Sequence, residues 1–261
     1  MRHIRFDRHA TKASASLAAL LAIALAWAGP VHAMTAEELV RHIDRLWQGE
    51  TSQATMTMTV TTQRYEREMT LQAWSLGKDH SLVVIEAPVK DRGIATLKVE
   101  NQIWNYLPKI DRVTRIPSSM MSGSWMGSHF THDDLVRESY FEDDYRSEIT
   151  FAGERDGRLI YELTAIPHPD APVVWGRVEM EIEQETLAPV SARYFDEKGE
   201  LVRTMHFEAI ERIDERHVPM RLTLQPQDKP DESTVISYRE IEFGVPLDTS
   251  FFSLQNLRRP R

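Results

Sequence analysis

His129, His132, Asp133 and Asp134 fall within six residues of one another, the densest gathering in the chain of groups able to ligate a metal or move a proton. Two histidines three apart share a helix face and could hold a divalent metal beside a carboxylate. Both acids have a second explanation. Thr131 and Asp134 have the spacing of a capping box, and acids in a first helical turn favour the positive end of the helix dipole. His129 would precede that helix. The serines nearby, Ser118, Ser119, Ser122, Ser124 and Ser128, have no base at a recognisable spacing. The chain has no Gly-x-Ser-x-Gly elbow, no phosphate-cradling glycine loop, no His-Glu-x-x-His and no cysteine. The expectation is therefore no enzyme, no metal and no cofactor, with a metal-dependent hydrolase as the lesser alternative.

The stretch that carries these residues runs from Trp104 to Asp134 and is unlike ordinary β-protein sequence. It opens as an aromatic strand with Trp104 and Tyr106 on one face, breaks at Pro108, and runs through Val113 to Ile116 before Pro117. A loop rich in Met and Gly follows, with Met120, Met121, Trp125 and Met126 set among Gly123 and Gly127. Flexible, polarisable side chains on a mobile backbone suit a greasy ligand of variable shape better than a reacting centre of fixed geometry. They also suit plain packing at one end of a barrel.

The first 33 residues read as a secretory leader. Arg2, Arg5, Arg8 and Lys12 form a basic region, Leu17 to Ala28 an apolar core, and Val31-His32-Ala33 a small-x-small cleavage site. Cleavage after Ala33 leaves 34–261 as a single domain, with 27 Lys and Arg against 39 Asp and Glu and a net charge of −12. That balance argues against nucleic acid and against strong adsorption to anionic headgroups. An exported chain without cysteine fits a bacterial periplasm.

The elements that must position the loop are mostly strands. Thr35 and Glu38 make a capping box ahead of a helix whose Leu39, Val40, Ile43, Leu46 and Trp47 form one apolar stripe, ended by Gly49. From Gln53 the period changes to two, with Met56, Met58 and Val60 alternating against threonines. Similar segments recur to Phe243, among them a stretch from Trp175 to Glu183 with Val178, Met180 and Ile182 on one side and charges on the other. The sum is about eleven strands in one antiparallel meander, with a front helix and a short helical insertion near Thr131. A sheet of that size must curl or split.

The combination of Trp104, Tyr106 and Pro108 with Arg112, Arg115 and Ile116, then Ser124-Trp125-Met126-Gly127-Ser128-His129-Phe130-Thr131 and Asp134-Leu135, resembles the outer-membrane lipoprotein-sorting family, relatives of the periplasmic carrier LolA. The likeness extends to Val218-Pro219 and to the ending Phe252-Ser253-Leu254 with Asn256-Leu257, and it lies nearer the broad branch of the family than the dedicated lipoprotein carrier. The resemblance implies an unclosed antiparallel β-barrel, with helices as a lid over a hydrophobic cavity that shields acyl chains. It implies lipid or lipoprotein acyl chains as cargo, an inner-membrane transporter as donor, an outer-membrane acceptor, and a monomer.

A lipid chain leaving a membrane exposes about 0.8 kcal/mol of apolar surface per methylene, so a carrier needs a lined cavity more than polar contacts. The expected lining is Leu39, Ile43, Trp47, Met56, Met58, Val60, Trp74, Trp104, Tyr106, Met120, Met121, Trp125 and Met126, each with a second reading as ordinary barrel core. Arg112 and Arg115 point to opposite faces if their strand is regular. By the same resemblance one of them latches the lid, bonded to its backbone carbonyls, and the other reads as a solvated strand charge. A non-catalytic envelope protein that holds a partner through a sheet edge or the Met-rich loop is the remaining class.

Overall fold

Period-two alternation decides most of this chain. In the computed structural model, which describes residues 34–47, 49–137, 141–171 and 173–258, Met56, Met58 and Val60 of strand β1 (Thr51–Thr61) are buried, and the threonines between them only partly so. Twelve further strands follow: β2 (Glu66–Leu76), β3 (His80–Ala87), β4 (Ala95–Val99), β5 (Gln102–Leu107), β6 (Arg112–Ile116), β7 (Tyr145–Arg155), β8 (Arg158–Pro167), β9 (Arg177–Glu183), β10 (Pro189–Phe195), β11 (Leu201–Ile213), β12 (Arg216–Pro226) and β13 (Ser233–Phe243). The count exceeds the expected eleven. The short run expected between Pro108 and Pro117 is β6, which pairs with β5 from Leu107–Arg112 to Ile103–Ile116.

All thirteen strands form one antiparallel sheet in the order β6-β5-β4-β3-β2-β1-β13-β12-β11-β10-β9-β8-β7. The last strand pairs with the first, so the seam lies in mid-chain. β6 and β7 are the two edges, and the segment 117–144 that joins them carries the Met-rich loop and two short helices, α2 (His132–Arg137) and α3 (Phe141–Asp144). The sheet is an unclosed barrel, as expected, and its lid hangs from the open seam.

The front helix, α1 (Ala36–Asp44), starts as its capping box dictates. The Thr35 hydroxyl accepts from the Glu38 N–H at 3.2 Å, and the Glu38 carboxylate accepts from the Thr35 N–H at 3.0 Å. Leu39, Val40 and Ile43 are buried, and just past the helix the Trp47 ring packs on Phe207 at 5.8 Å while its Nε1 donates to the Pro219 carbonyl at 3.2 Å. Burying an indole requires such a partner.

The opposite face of β2 to β5 carries a second apolar layer. Trp74, Leu82, Val84, Ala95, Leu97 and Tyr106 are covered there by Phe252 and by Leu257 of a C-terminal helix, α4 (Leu254–Arg258), with Trp104 and Phe251 packed alongside. On β7 to β10 the outer face is charged instead, and Arg155, Glu162, Glu179, Glu181 and Arg193 form a ladder of ion pairs at 2.6 to 3.5 Å. Residues Met1–Ala33, the expected leader, lie outside the described residues. Among the described residues no helix is long and apolar enough to cross a membrane.

Candidate functional site

Small side chains create the site. On the inward face of β1 to β3 the register aligns Ala54 with Ala73 and Ser52 with Ser75, then Ala73 with Val83 and Ser75 with Ser81. Larger side chains complete the lining, Met180, Tyr194, Phe207 and Leu222 on β9 to β12, and Ile236 and Tyr238 on β13 beside β1. The mismatch in size leaves a cavity of about 240 Å³, roofed by Ile43, Asp44 and Trp47 at the end of α1, by Trp125 and Phe130 of the loop, by Asp134 and Leu135 of α2, and by Phe141 of α3. The lining is largely apolar, and Ser52 and Ser75 satisfy one another by a 2.6 Å hydroxyl contact.

The expected lining residues divide into three groups. Ile43, Trp47, Met56 and Trp125 border the cavity, and Trp74 borders it along a strand whose Ala73 and Ser75 face inward, while its own ring packs on Phe251 across the sheet at 5.6 Å. Leu39, Met58 and Val60 are fully buried beyond the cavity, as barrel core. The rest lie elsewhere. Trp104 and Tyr106 belong to the outer layer under α4, and the Tyr106 hydroxyl donates to Asp111 at 3.2 Å. Met120 is 54% exposed, and Met121 and Met126 are half-buried at the surface of the loop. An aromatic pair at i and i+2 shares a face, but parity alone does not say which face is concave.

The lid is fastened by arginines other than those expected. Arg112 and Arg115 are exposed on edge strand β6. Arg67 of β2 donates to the Met126 carbonyl at 3.1 Å and pairs with Asp91 at 3.0 Å, and the Tyr65 hydroxyl donates to the neighbouring Gly127 carbonyl at 3.3 Å. Met126 and Gly127 both have positive φ, 51° and 73°, which turns these two carbonyls toward β2. The position suits glycine and strains methionine.

The deepest fastening is Arg203 of β11. Its two terminal nitrogens donate to the Asp134 carboxylate of α2 at 2.8 and 2.6 Å, a bidentate pair with both side chains 4% exposed. The guanidinium lies against Trp175 and Tyr194, 4.3 Å from each ring centroid. Register explains half of this cradle, because Tyr194 stands directly opposite Arg203. Gly176 explains the other half: a side chain there would meet the Asp196 carbonyl oxygen at 2.5 Å, so only glycine lets Trp175 approach so closely. Asp134 also caps its own helix, accepting from the Thr131 N–H at 2.7 Å. The capping box read from the sequence is present, and the same carboxylate does both jobs.

At the other end of the roof, Asp44 joins α1 to α3, its carboxylate accepting from the Glu142 N–H at 3.2 Å, and Arg41 pairs with Glu142 at 2.9 Å. Lys78 of the β2–β3 turn pairs with Asp143. Burial pushes the Asp44 carboxyl up to about 7, against the Glu142 N–H, which favours its ionised form. The two histidines of the loop do not converge. His129 meets Thr234 at 2.8 Å and Glu232 at 3.1 Å, whereas His132 meets the Gly123 carbonyl at 2.9 Å and Asn105 at 3.4 Å. Among the described residues no three of His, Asp and Glu gather to hold a metal.

A family model described as "-like: Uncharacterized protein" matches residues 77–259. Solved structures that share the fold include three at TM-scores above 0.7. A DUF1329 family protein from Desulfovibrio piger has a TM-score of 0.78 at 22% identity, over 85% of this chain and 97% of its own. A LolA superfamily protein from Nitrosomonas europaea has a TM-score of 0.72 at 21% identity, over 85% and 99%. A domain from Vibrio parahaemolyticus, described as an outer membrane lipoprotein-sorting protein, has a TM-score of 0.74 at 23% identity, over 86% and 98%. No curated protein matches the sequence.

Proposed function

From a fold shared with a LolA superfamily protein and a lipoprotein-sorting domain, we propose that the chain is a LolA-like periplasmic carrier which shields the acyl chain of a lipid or lipoprotein inside its barrel. The observation that carries this reading is an apolar cavity between the small side chains of β1 to β3 and a lid attached through a few polar contacts. Ligand sites commonly enclose about 300–1,000 Å³. At about 240 Å³ the cavity falls below that range, and in this reading the lid moves to admit a whole acyl chain. Met180, Trp125 and Phe130 line the space such a chain would take. Met adapts to chains of different shape better than branched residues do.

In this reading residues 1–33 are a leader removed on export, 34–261 are one domain, the donor is an inner-membrane transporter and the acceptor lies at the outer membrane. No step calls for catalysis. Native mass spectrometry of the protein purified from its own periplasm, followed by lipid extraction of any extra mass, tests it. A stoichiometric acylated species is expected; an empty protein that also refuses added lipid would falsify the carrier reading. Replacing Met121 and Trp125 by Ser in a folded protein is expected to lower lipid uptake. Unchanged uptake would remove the Met-rich loop from the mechanism.

A further inference from the structure

Resting on the carrier reading, we propose that the cargo is an anionic amphiphile whose carboxylate or phosphate group replaces Asp134 on the guanidinium of Arg203. The fully buried cation of this pair stands on the fixed wall of the barrel, on β11, and the anion that chelates it stands on the lid, on α2. Asp134 also borders the cavity, as does Tyr194, one of the two rings that hold the guanidinium. Lid opening withdraws the Asp134 carboxylate from both guanidinium nitrogens while Trp175 and Tyr194 stay with the wall. A planar guanidinium fixed between two rings is preorganised for a bidentate oxyanion, the geometry that carboxylate and phosphate share.

Withdrawing a bidentate carboxylate from a buried guanidinium is costly, so an uncharged ligand that opens the lid bears that cost and an anionic ligand that takes the carboxylate's place does not. Asp134 therefore acts as a tethered competitor. It fills the anion site when the cavity is empty and yields it when an anionic head arrives with its chain. The same arrangement disfavours a cationic amphiphile, whose head would meet Arg203.

Affinities of the purified protein for dodecanoate, dodecyl phosphate, dodecanol and dodecyltrimethylammonium, measured by displacement of a fluorescent fatty probe below their micelle concentrations, test this. Both anions are expected to bind at least tenfold more tightly than dodecanol, and the cation most weakly. Asp134→Asn removes the competitor's charge and is expected to raise anion affinity severalfold. Arg203→Met together with Asp134→Leu replaces the pair by apolar groups, a change that buried pairs commonly tolerate, and is expected to abolish the preference while dodecanol binding persists. Dodecanoate binding more tightly than dodecyl phosphate, or the reverse, assigns the head as carboxylate or phosphate. Dodecanol binding as tightly as the anions, or a preference that survives in the double variant, overturns the inference and leaves the carrier reading standing. Refusal of all four amphiphiles overturns both.

Discussion

Two apolar layers lie on opposite faces of the same strands, and they are covered in different ways. On the outer face of β2 to β5, Trp74, Leu82, Val84, Leu97 and Tyr106 are sealed by Phe252 and Leu257, and the cover is itself apolar and continuous with what it covers. On the inner face the roof buries Ile43, Trp125, Phe130 and Phe141 as well, but it is also bound to the wall through discrete polar groups, Arg203 to Asp134, Arg67 to the Met126 carbonyl, and Trp125 Nε1 to the Thr96 hydroxyl at 3.1 Å. The inner layer keeps a cavity. A permanent cover is well made from area, since burial grows with every methylene. A cover that must lift is better made from a few contacts that a ligand or solvent can replace.

Substitutions can break that contrast. Phe252→Ala should cost about 3–5 kcal/mol of global stability, the usual range for emptying a packed aromatic site, read as a lower urea midpoint with lipid uptake per folded molecule unchanged. If uptake fell instead, the two layers would not be independent. Asp134→Asn removes one charge of a buried bidentate pair and should cost about 3–5 kcal/mol, and hydrogen exchange should show it as faster opening of residues 118–137 with the strands still protected. Equal loss of protection throughout the barrel would make the lid part of the core rather than a cover.

A smaller effect sharpens the picture at the α1–α3 junction. The Asp44 carboxyl titrates near 7 in the folded protein against an ordinary value of 3.8. The folded state therefore binds the extra proton between those values, and stability falls as pH rises from about 4 to about 7, then levels off. Each tenfold change in proton affinity is worth about 1.4 kcal/mol, and partial solvation reduces the total to on the order of 1–2 kcal/mol. Asp44→Asn should flatten that slope and raise the melting temperature at pH 8; a slope that persists in the variant would place the titration elsewhere. The smallest change should come from Met120→Ser. Met120 is 54% exposed, and a substitution there should move stability by less than about 0.5 kcal/mol, measured by the same urea titration.

Local rules written into the sequence determined the elements of this protein. The Thr35–Glu38 box started α1 where it starts, Met56, Met58 and Val60 alternated into the barrel, and Thr131 with Asp134 marked the onset of α2. Each rests on neighbours within four residues. Tertiary structure decided which side of the sheet was concave, and with it that Trp104 and Tyr106 serve the outer layer while Ser52, Ala54, Ala73 and Ser75 hollow the inner one. Alternation groups residues by face without saying which face bends inward, because curvature arises from the sum of all thirteen strands. The small residues recurring at alternate positions of β1 and β2 were the available signal for the cavity. The pairing of Arg203 with Asp134, 69 residues apart, had none, since it depends on a lid that crosses the open seam and on a glycine at position 176 that lets Trp175 close the cradle.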